Sequence, residues 1–149
     1  MDSPTTPSKQ FHVLLIDDDE ALRRLFGGYL EKVGFQIIYS DNGEDGREIA
    51  RRLQPDIILL DLTLPKMDGY EVSSRLKKEE MTKNIPLVIL TNADISQEAE
   101  KFFKERGIAD YIHKSIQADE LVARVRKVLD LSDDQPQLPT TRSSENEAS

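Results

Sequence analysis

Along residues 11–131, short aliphatic runs alternate five times with segments of helical spacing. The runs are His12–Ile16, Phe35–Tyr39, Ile57–Leu60, Leu87–Leu90 and Ala109–His113. The first helical stripe is Leu22, Leu25, Phe26, Tyr29, Leu30 and Val33, closed by Gly34. The fourth is Ile95, Ala99, Phe102 and Phe103, closed by Gly107, and the fifth is Ala118, Leu121, Val122, Val125, Val128 and Leu129. Each places apolar residues at i, i+3, i+4 and i+7, one face of a helix. Two weaker helices are predicted over about 43–53 and 68–78, with Ile49, Ala50 and Leu53, then Val72 and Leu76, as inner positions. Repeated strand–helix units predict an α/β architecture, a five-stranded parallel sheet with helices on both faces.

The polarity of each run predicts its place in the sheet. VLLI, IILL and LVIL are apolar without alternation, as in strands covered on both faces. The second run carries Gln36, and the fifth carries Asp110 and His113, interruptions that suit edges. Strands 1, 3 and 4 are therefore interior, which the order 2-1-3-4-5 satisfies. In such a doubly wound sheet the order reverses between strands 1 and 3, and ligands bind at that crevice, beyond the carboxyl ends of the strands.

Composition sets limits around this core. The chain has 149 residues and a net charge of −8, one domain by length, with an acidity that disfavours nucleic acid and anionic membrane as partners. Cysteine is absent, which excludes disulfides, thiolate metal sites and cysteine nucleophiles. No apolar run is long enough to span a bilayer, and the start of the chain lacks the pattern of a secretory signal, so a cytoplasmic location is expected. Residues 1–10 and 132–149 are too poor in apolar residues to offset their ordering entropy and are read as disordered tails, the second one acidic. The folded unit is then 11–131, roughly 45% apolar, an ordinary globular share.

The chemistry gathers at the predicted crevice. Strand 1 runs into Asp17-Asp18-Asp19-Glu20, and strand 3 runs into Asp61. Carboxylates brought together there raise one another's pKa and destabilise the fold unless a cation intervenes. An all-oxygen ligand set points to a hard divalent ion, Mg²⁺ first, with Mn²⁺ or Ca²⁺ as the others that fit. For Asp19 alone, capping of the first helix is the preferred explanation. Thr91 ends strand 4 and Lys114 ends strand 5; each has an ordinary reading by itself, as a strand-end threonine and a solvated lysine. Together with the acids they compose a phosphoryl site: a carboxylate nucleophile, a metal cradle, a hydroxyl donor and a compensating ammonium. An acyl phosphate at Asp61 adds negative charge. Thr91 and Lys114 are expected to answer it by moving toward the phosphoryl group, biasing a two-state element.

Four motifs, IDDD at 16–19, LLDLTLPKMDG at 59–69, VILT at 88–91 and DYIHK at 110–114, resemble the receiver domains of two-component response regulators, whose flavodoxin-like sheet has the same strand order. The resemblance implies that Asp61 is the phosphoacceptor, charged by a sensor histidine kinase or phosphotransfer protein. It implies Mg²⁺ held by Asp18, Asp61 and the Thr63 carbonyl, with Asp17 acting through water. It assigns Thr91 and Lys114 to the phosphoryl group and Tyr111 to a switch aromatic, an ordinary edge-strand tyrosine being the plainer alternative. Pro65, Met67, Asp68 and Gly69 match the loop after strand 3, Gly69 for its permissive backbone. Output is expected by contact with an unknown downstream protein across helix 4, strand 5 and helix 5, a surface that in some members forms a homodimer. The chain departs from the pattern at three places. Ser115 replaces the proline after the lysine, so a trans bond and an altered Lys114 loop are expected; Asn92 is larger than the usual residue and is expected to narrow access to Asp61. His113 is assigned no role.

Other readings compete. A degenerate receiver used only for docking is kept open by Asn92 and Ser115. A haloacid-dehalogenase-type aspartyl-phosphate phosphatase needs an acid two residues after the nucleophile, where Thr63 stands. P-type ATPases share that threonine but not LPKMDG, and a flavin carrier needs a phosphate loop that IDDDE would repel. The expectation is a stand-alone phosphoacceptor switch rather than an enzyme.

Overall fold

A computed structural model describes residues 10–131. The tails expected over 1–10 and 132–149 lie, Gln10 aside, outside the described residues. The elements are β1 (His12–Ile16), α1 (Glu20–Glu31), β2 (Gln36–Ser40), α2 (Gly43–Leu53), β3 (Ile57–Asp61), α3 (Gly69–Lys78), β4 (Leu87–Thr91), α4 (Gln97–Glu105), β5 (Asp110–His113) and α5 (Ala118–Val128). All strand pairs are parallel, in the order β2-β1-β3-β4-β5. No helix among the described residues is long and apolar enough to cross a membrane.

The apolar runs account for this order. Every residue of β3 and β4 and all but the first of β1 are buried, whereas β2 and β5 are each buried at a single position. Because side chains alternate along a strand, the central strands feed two cores. Val13, Leu15, Ile57, Leu59, Val88 and Leu90 pack with Phe26 and Leu30 of α1 and Leu121 and Val125 of α5. Leu14, Ile16, Ile58, Leu60, Leu87 and Ile89 pack with Ala50 of α2, Val72 and Leu76 of α3 and Phe103 of α4. Each such Val, Leu, Ile or Phe side chain contributes about 1.5–3 kcal/mol by leaving water, and truncating one, as in Leu59→Ala, costs about 2–5 kcal/mol.

Side chains also set the helix boundaries. Asp19, Asn42, Asp68 and Ser96 cap α1, α2, α3 and α4 by accepting from first-turn amides. Gly34 and Gly107 take positive φ after α1 and α4, where a residue with a Cβ would be strained. Two inner positions expected from the sequence stand outside instead. Leu25 is exposed because the buried row of α1 is Phe26, Gly27 and Leu30, and Leu53 is exposed because that of α2 is Gly43, Gly46 and Ala50. In β2, Phe35 precedes the strand: its N–H donates to Leu30 O at the end of α1, and pairing with β1 begins at Gln36.

Candidate functional site

All five strands point their carboxyl ends at one rim. Asp17, just past β1, is fully buried. Its N–H donates to Ser40 O at 3.0 Å, extending the β1–β2 ladder, and its carbonyl accepts from Arg23 Nη1 at 2.6 Å. Its Oδ1 accepts the Asp19 N–H at 2.9 Å. Asp18, next in sequence, is exposed, and Asp19 turns away to cap α1, as the sequence suggests.

Asp61 is the last residue of β3 and is 2% exposed. Its Oδ1 accepts from the Thr63 N–H at 3.1 Å and the Thr63 hydroxyl at 3.2 Å, while Oδ2 meets no donor among the described residues. Lys114 enters from the turn after β5, its N–H donating to Thr91 O at 2.8 Å. Its Nζ lies 2.9 Å from both Asp17 Oδ2 and Asp61 Oδ1. The sequence reading has Lys114 travel to Asp61. The structure already places it there, because two buried carboxylates side by side hold the ammonium.

Electrostatics agree with the geometry. Burial pushes the Asp17 carboxyl above its ordinary value, with the Asp61 charge adding to the rise and the Asp19 N–H and Lys114 opposing it. Burial pulls Lys114 down, but Asp17 and Asp61 outweigh it and hold the ammonium above the ordinary lysine value.

Carboxylate oxygens of Asp17, Asp18 and Asp61 lie within 4.8 Å of one another, so the three acids converge as the sequence predicts. Against their three negative charges Lys114 supplies one positive charge, leaving a deficit equal to a divalent cation. Asp17 Oδ2 is buried and no aligned hydrogen bond reaches it, Lys114 meeting it only as a charge. An all-oxygen set of acids with such an oxygen fits a hard divalent ion.

Thr91 is nearly buried at the end of β4, and its Oγ1 accepts from the Ala93 N–H at 3.0 Å and donates to Ala93 O at 3.2 Å. Tyr111 is half-buried beside Phe103 (centroids 6.4 Å apart), and its hydroxyl meets Glu100, which pushes the phenol up and the carboxyl down from their ordinary values. Asn92 and Thr63 are exposed on the loops after β4 and β3. The Lys114–Ser115 bond is trans, as expected.

Gly69 needs a different explanation from the one expected. Its φ is ordinary, but a Cβ there would come within 2.5 Å of Asp61 O and Leu62 Cα. Close approach to the main chain beside Asp61, rather than conformational freedom, demands glycine. Three contacts were not anticipated: Arg23 on the Asp17 carbonyl, Glu100 on Tyr111, and Tyr70 stacked on Phe103. The last carries a faint sequence signal, Phe102-Phe103 on the stripe of α4; the first two join residues that no local pattern relates.

Comparison with known proteins supplies an independent line. Residues 13–126 match the model of the response regulator receiver domain. The chain is 40% identical over 125 residues to the DNA-binding dual master transcriptional regulator RpaA of Synechocystis, covering 84% of this chain but 52% of that protein. It is 33% identical over 118 residues to Protein PilH of Pseudomonas aeruginosa, covering 78% of this chain and 96% of PilH. The chain thus spans about half of RpaA and nearly all of PilH. Among solved structures, the N-terminal domain of a response regulator receiver protein from Methanoculleus marisnigri superposes with a TM-score of 0.69 at 30% identity, covering 81% of this chain and 98% of that one. The chemotaxis response regulator CheY4 of Vibrio cholerae, at 22% identity, shares the fold with a TM-score of 0.74, covering 80% and 99%.

Proposed function

The chain belongs to the response regulator receiver domain family of two-component systems, and from that membership we propose that Asp61 accepts a phosphoryl group from a phosphohistidine on a sensor histidine kinase or phosphotransfer protein. Receiver domains are phosphoacceptor switches that bind Mg²⁺ at an acidic site. The observation that carries the assignment is Asp61 itself: a buried carboxylate with Oδ1 occupied by Thr63 and Lys114 and Oδ2 left without a donor. Oδ2 is then the attacking oxygen. It forms the new O–P bond as the N–P bond of the donor breaks, and the departing imidazole keeps the bonding pair.

Asp17, Asp18, Asp61 and the Thr63 carbonyl would hold Mg²⁺ (or Mn²⁺), which when bound neutralises charge on the transferring phosphoryl oxygens. Lys114 supplies a fixed positive charge beside Asp61 through transfer and through the self-catalysed hydrolysis that reverses it. Thr91, released from Ala93, donates its hydroxyl to the phosphoryl oxygens, and Asn92 at the rim restricts what reaches them. The displaced β4 end and Tyr111 on β5 then alter the α4–β5–α5 face, through which the chain signals to a downstream protein or a second copy of itself.

The test is direct. Incubation with acetyl phosphate and Mg²⁺ is expected to add one phosphoryl group by mass, labile to hydroxylamine, and Asp61→Asn is expected to show none. Steady turnover of a small phosphoester without an adduct would contradict the assignment.

A further inference from the structure

The turn that delivers Lys114 is built around an imidazole. Ile116 N–H donates to His113 O at 3.1 Å, closing a four-residue turn with Lys114 and Ser115 at its centre. Its main-chain bond leaves the N–H of the second central residue without a partner. A proline there would have no such N–H to satisfy; Ser115 has one. It donates to His113 Nδ1 at 3.1 Å, and the Ser115 hydroxyl lies 2.8 Å from the same nitrogen. Because an amide N–H only donates, Nδ1 must carry a lone pair, which places the ring proton on Nε2. His113 thus closes the turn twice, with its carbonyl and with its side chain, in the manner of an Asx-turn.

The consequence reaches the pocket through one residue. Lys114 sits between the two ends of this clamp, its own N–H fixed on Thr91 O at 2.8 Å and its Nζ shared between Asp17 and Asp61 at 2.9 Å. We propose that His113 is a positioning residue for Lys114, its Nδ1 holding the Ser115 N–H so that a trans Lys114–Ser115 turn keeps the ammonium at Asp61. The inference rests on the assignment of Asp61 as phosphoacceptor and adds a part that assignment does not contain. His113 touches neither carboxylate and acts only through the turn.

The experiment is a double-mutant cycle read by the rate of acyl phosphate formation from acetyl phosphate and Mg²⁺. His113 is exposed, so truncating it leaves both cores intact. His113→Ala is expected to slow the reaction about fivefold, the factor matching one lost neutral hydrogen bond. His113→Asn, whose amide oxygen can accept the same N–H, is expected to restore the rate. In a Ser115→Pro background, where that N–H is gone, His113→Ala is expected to change nothing. A His113→Ala rate equal to that of the unmodified protein overturns the proposal. So does an equal slowing in both backgrounds, because the imidazole would then act elsewhere than on the Ser115 N–H. Failure of every variant and of the unmodified protein to form any adduct overturns the assignment of Asp61 instead, and the inference falls with it.

Discussion

Lys114 Nζ stands 2.9 Å from Asp61 Oδ1 and 2.9 Å from Asp17 Oδ2, one ammonium shared by two carboxylates that are shut away from water. The resting pocket is therefore an ion triad that the fold already holds. Removing the cation strands two neighbouring buried charges, an imbalance that typically costs about 3 kcal/mol or more. Lys114→Met is expected to lose stability on that scale in urea unfolding, with added Mg²⁺ recovering part of the loss. An unchanged midpoint would contradict the triad.

The same triad sets a pH signature. Lys114 is held above the ordinary lysine value of 10.5 by Asp17 and Asp61 against the pull of burial, so the folded state binds that proton more tightly than the unfolded state. Its contribution is complete below pH 10.5 and is lost as pH rises through the folded value. Lys77 behaves in the opposite sense. Burial lowers it beneath 10.5 while its ammonium donates to the Lys83 and Ile85 carbonyls, so its effect improves with rising pH. Lys77 is common to the protein and to Lys114→Met and cancels between them. The stability gap between the two is expected to narrow above pH 10.5.

Asp18 is the exposed member of the acidic cluster, which separates binding from folding. Asp18→Asn is expected to change stability by no more than about 0.5 kcal/mol, as surface substitutions usually do. It is expected to weaken Mg²⁺ binding by more than about tenfold, the scale on which even outer-shell partners matter. Titration calorimetry with Mg²⁺ beside a thermal melt reads both; equal affinity in the variant removes Asp18 from the ligand set.

Gly69 is pinned by main chain. Its N–H donates to Leu62 O at 2.8 Å, and a Cβ would meet Asp61 O and Leu62 Cα, neither of which can rotate away. Gly69→Ala is expected to lose about 3 kcal/mol, the upper end of overpacking costs, and to slow Asp61 phosphorylation because the strand end must shift. Wild-type kinetics in a destabilised variant would confine the effect to folding.

Glu100 raises the Tyr111 phenol, chiefly by accepting its hydroxyl and then through burial and charge. Glu100→Gln removes the negative acceptor. The phenolate absorbance titration of the variant is expected to shift one tyrosine, Tyr111, toward lower pH. Superimposable titrations would mean that the carboxylate does not engage Tyr111.

The sheet was readable because burial leaves a one-dimensional trace. Strands packed on both faces must be apolar throughout, so VLLI, IILL and LVIL identified the interior, and Gln36 and Asp110 the edges. Convergence of Asp17, Asp18 and Asp61 followed from that order alone. Less legible was anything decided by side-chain reach. Position in sequence cannot show that Lys114 bridges two acids at rest, that Arg23 doubles back to the Asp17 carbonyl, or that Leu25 and Leu53 fall beside the buried rows rather than on them. Gly69 shows a related limit: its residue type was legible, but the nearby main chain that demands it comes from tertiary packing.

Thr91 Oγ1 is engaged twice with Ala93, once as acceptor and once as donor. Any swing toward the rim must first break that two-point catch, so small fluctuations at the end of β4 are pulled back rather than passed along. Two neutral hydrogen bonds together hold on the order of 2 kcal/mol, whereas a single charge-assisted bond returns about 1.5–3 kcal/mol. The two sums nearly match, so under the proposed phosphorylation of Asp61 the hydroxyl is expected to leave Ala93 only once a charged acceptor comes within reach.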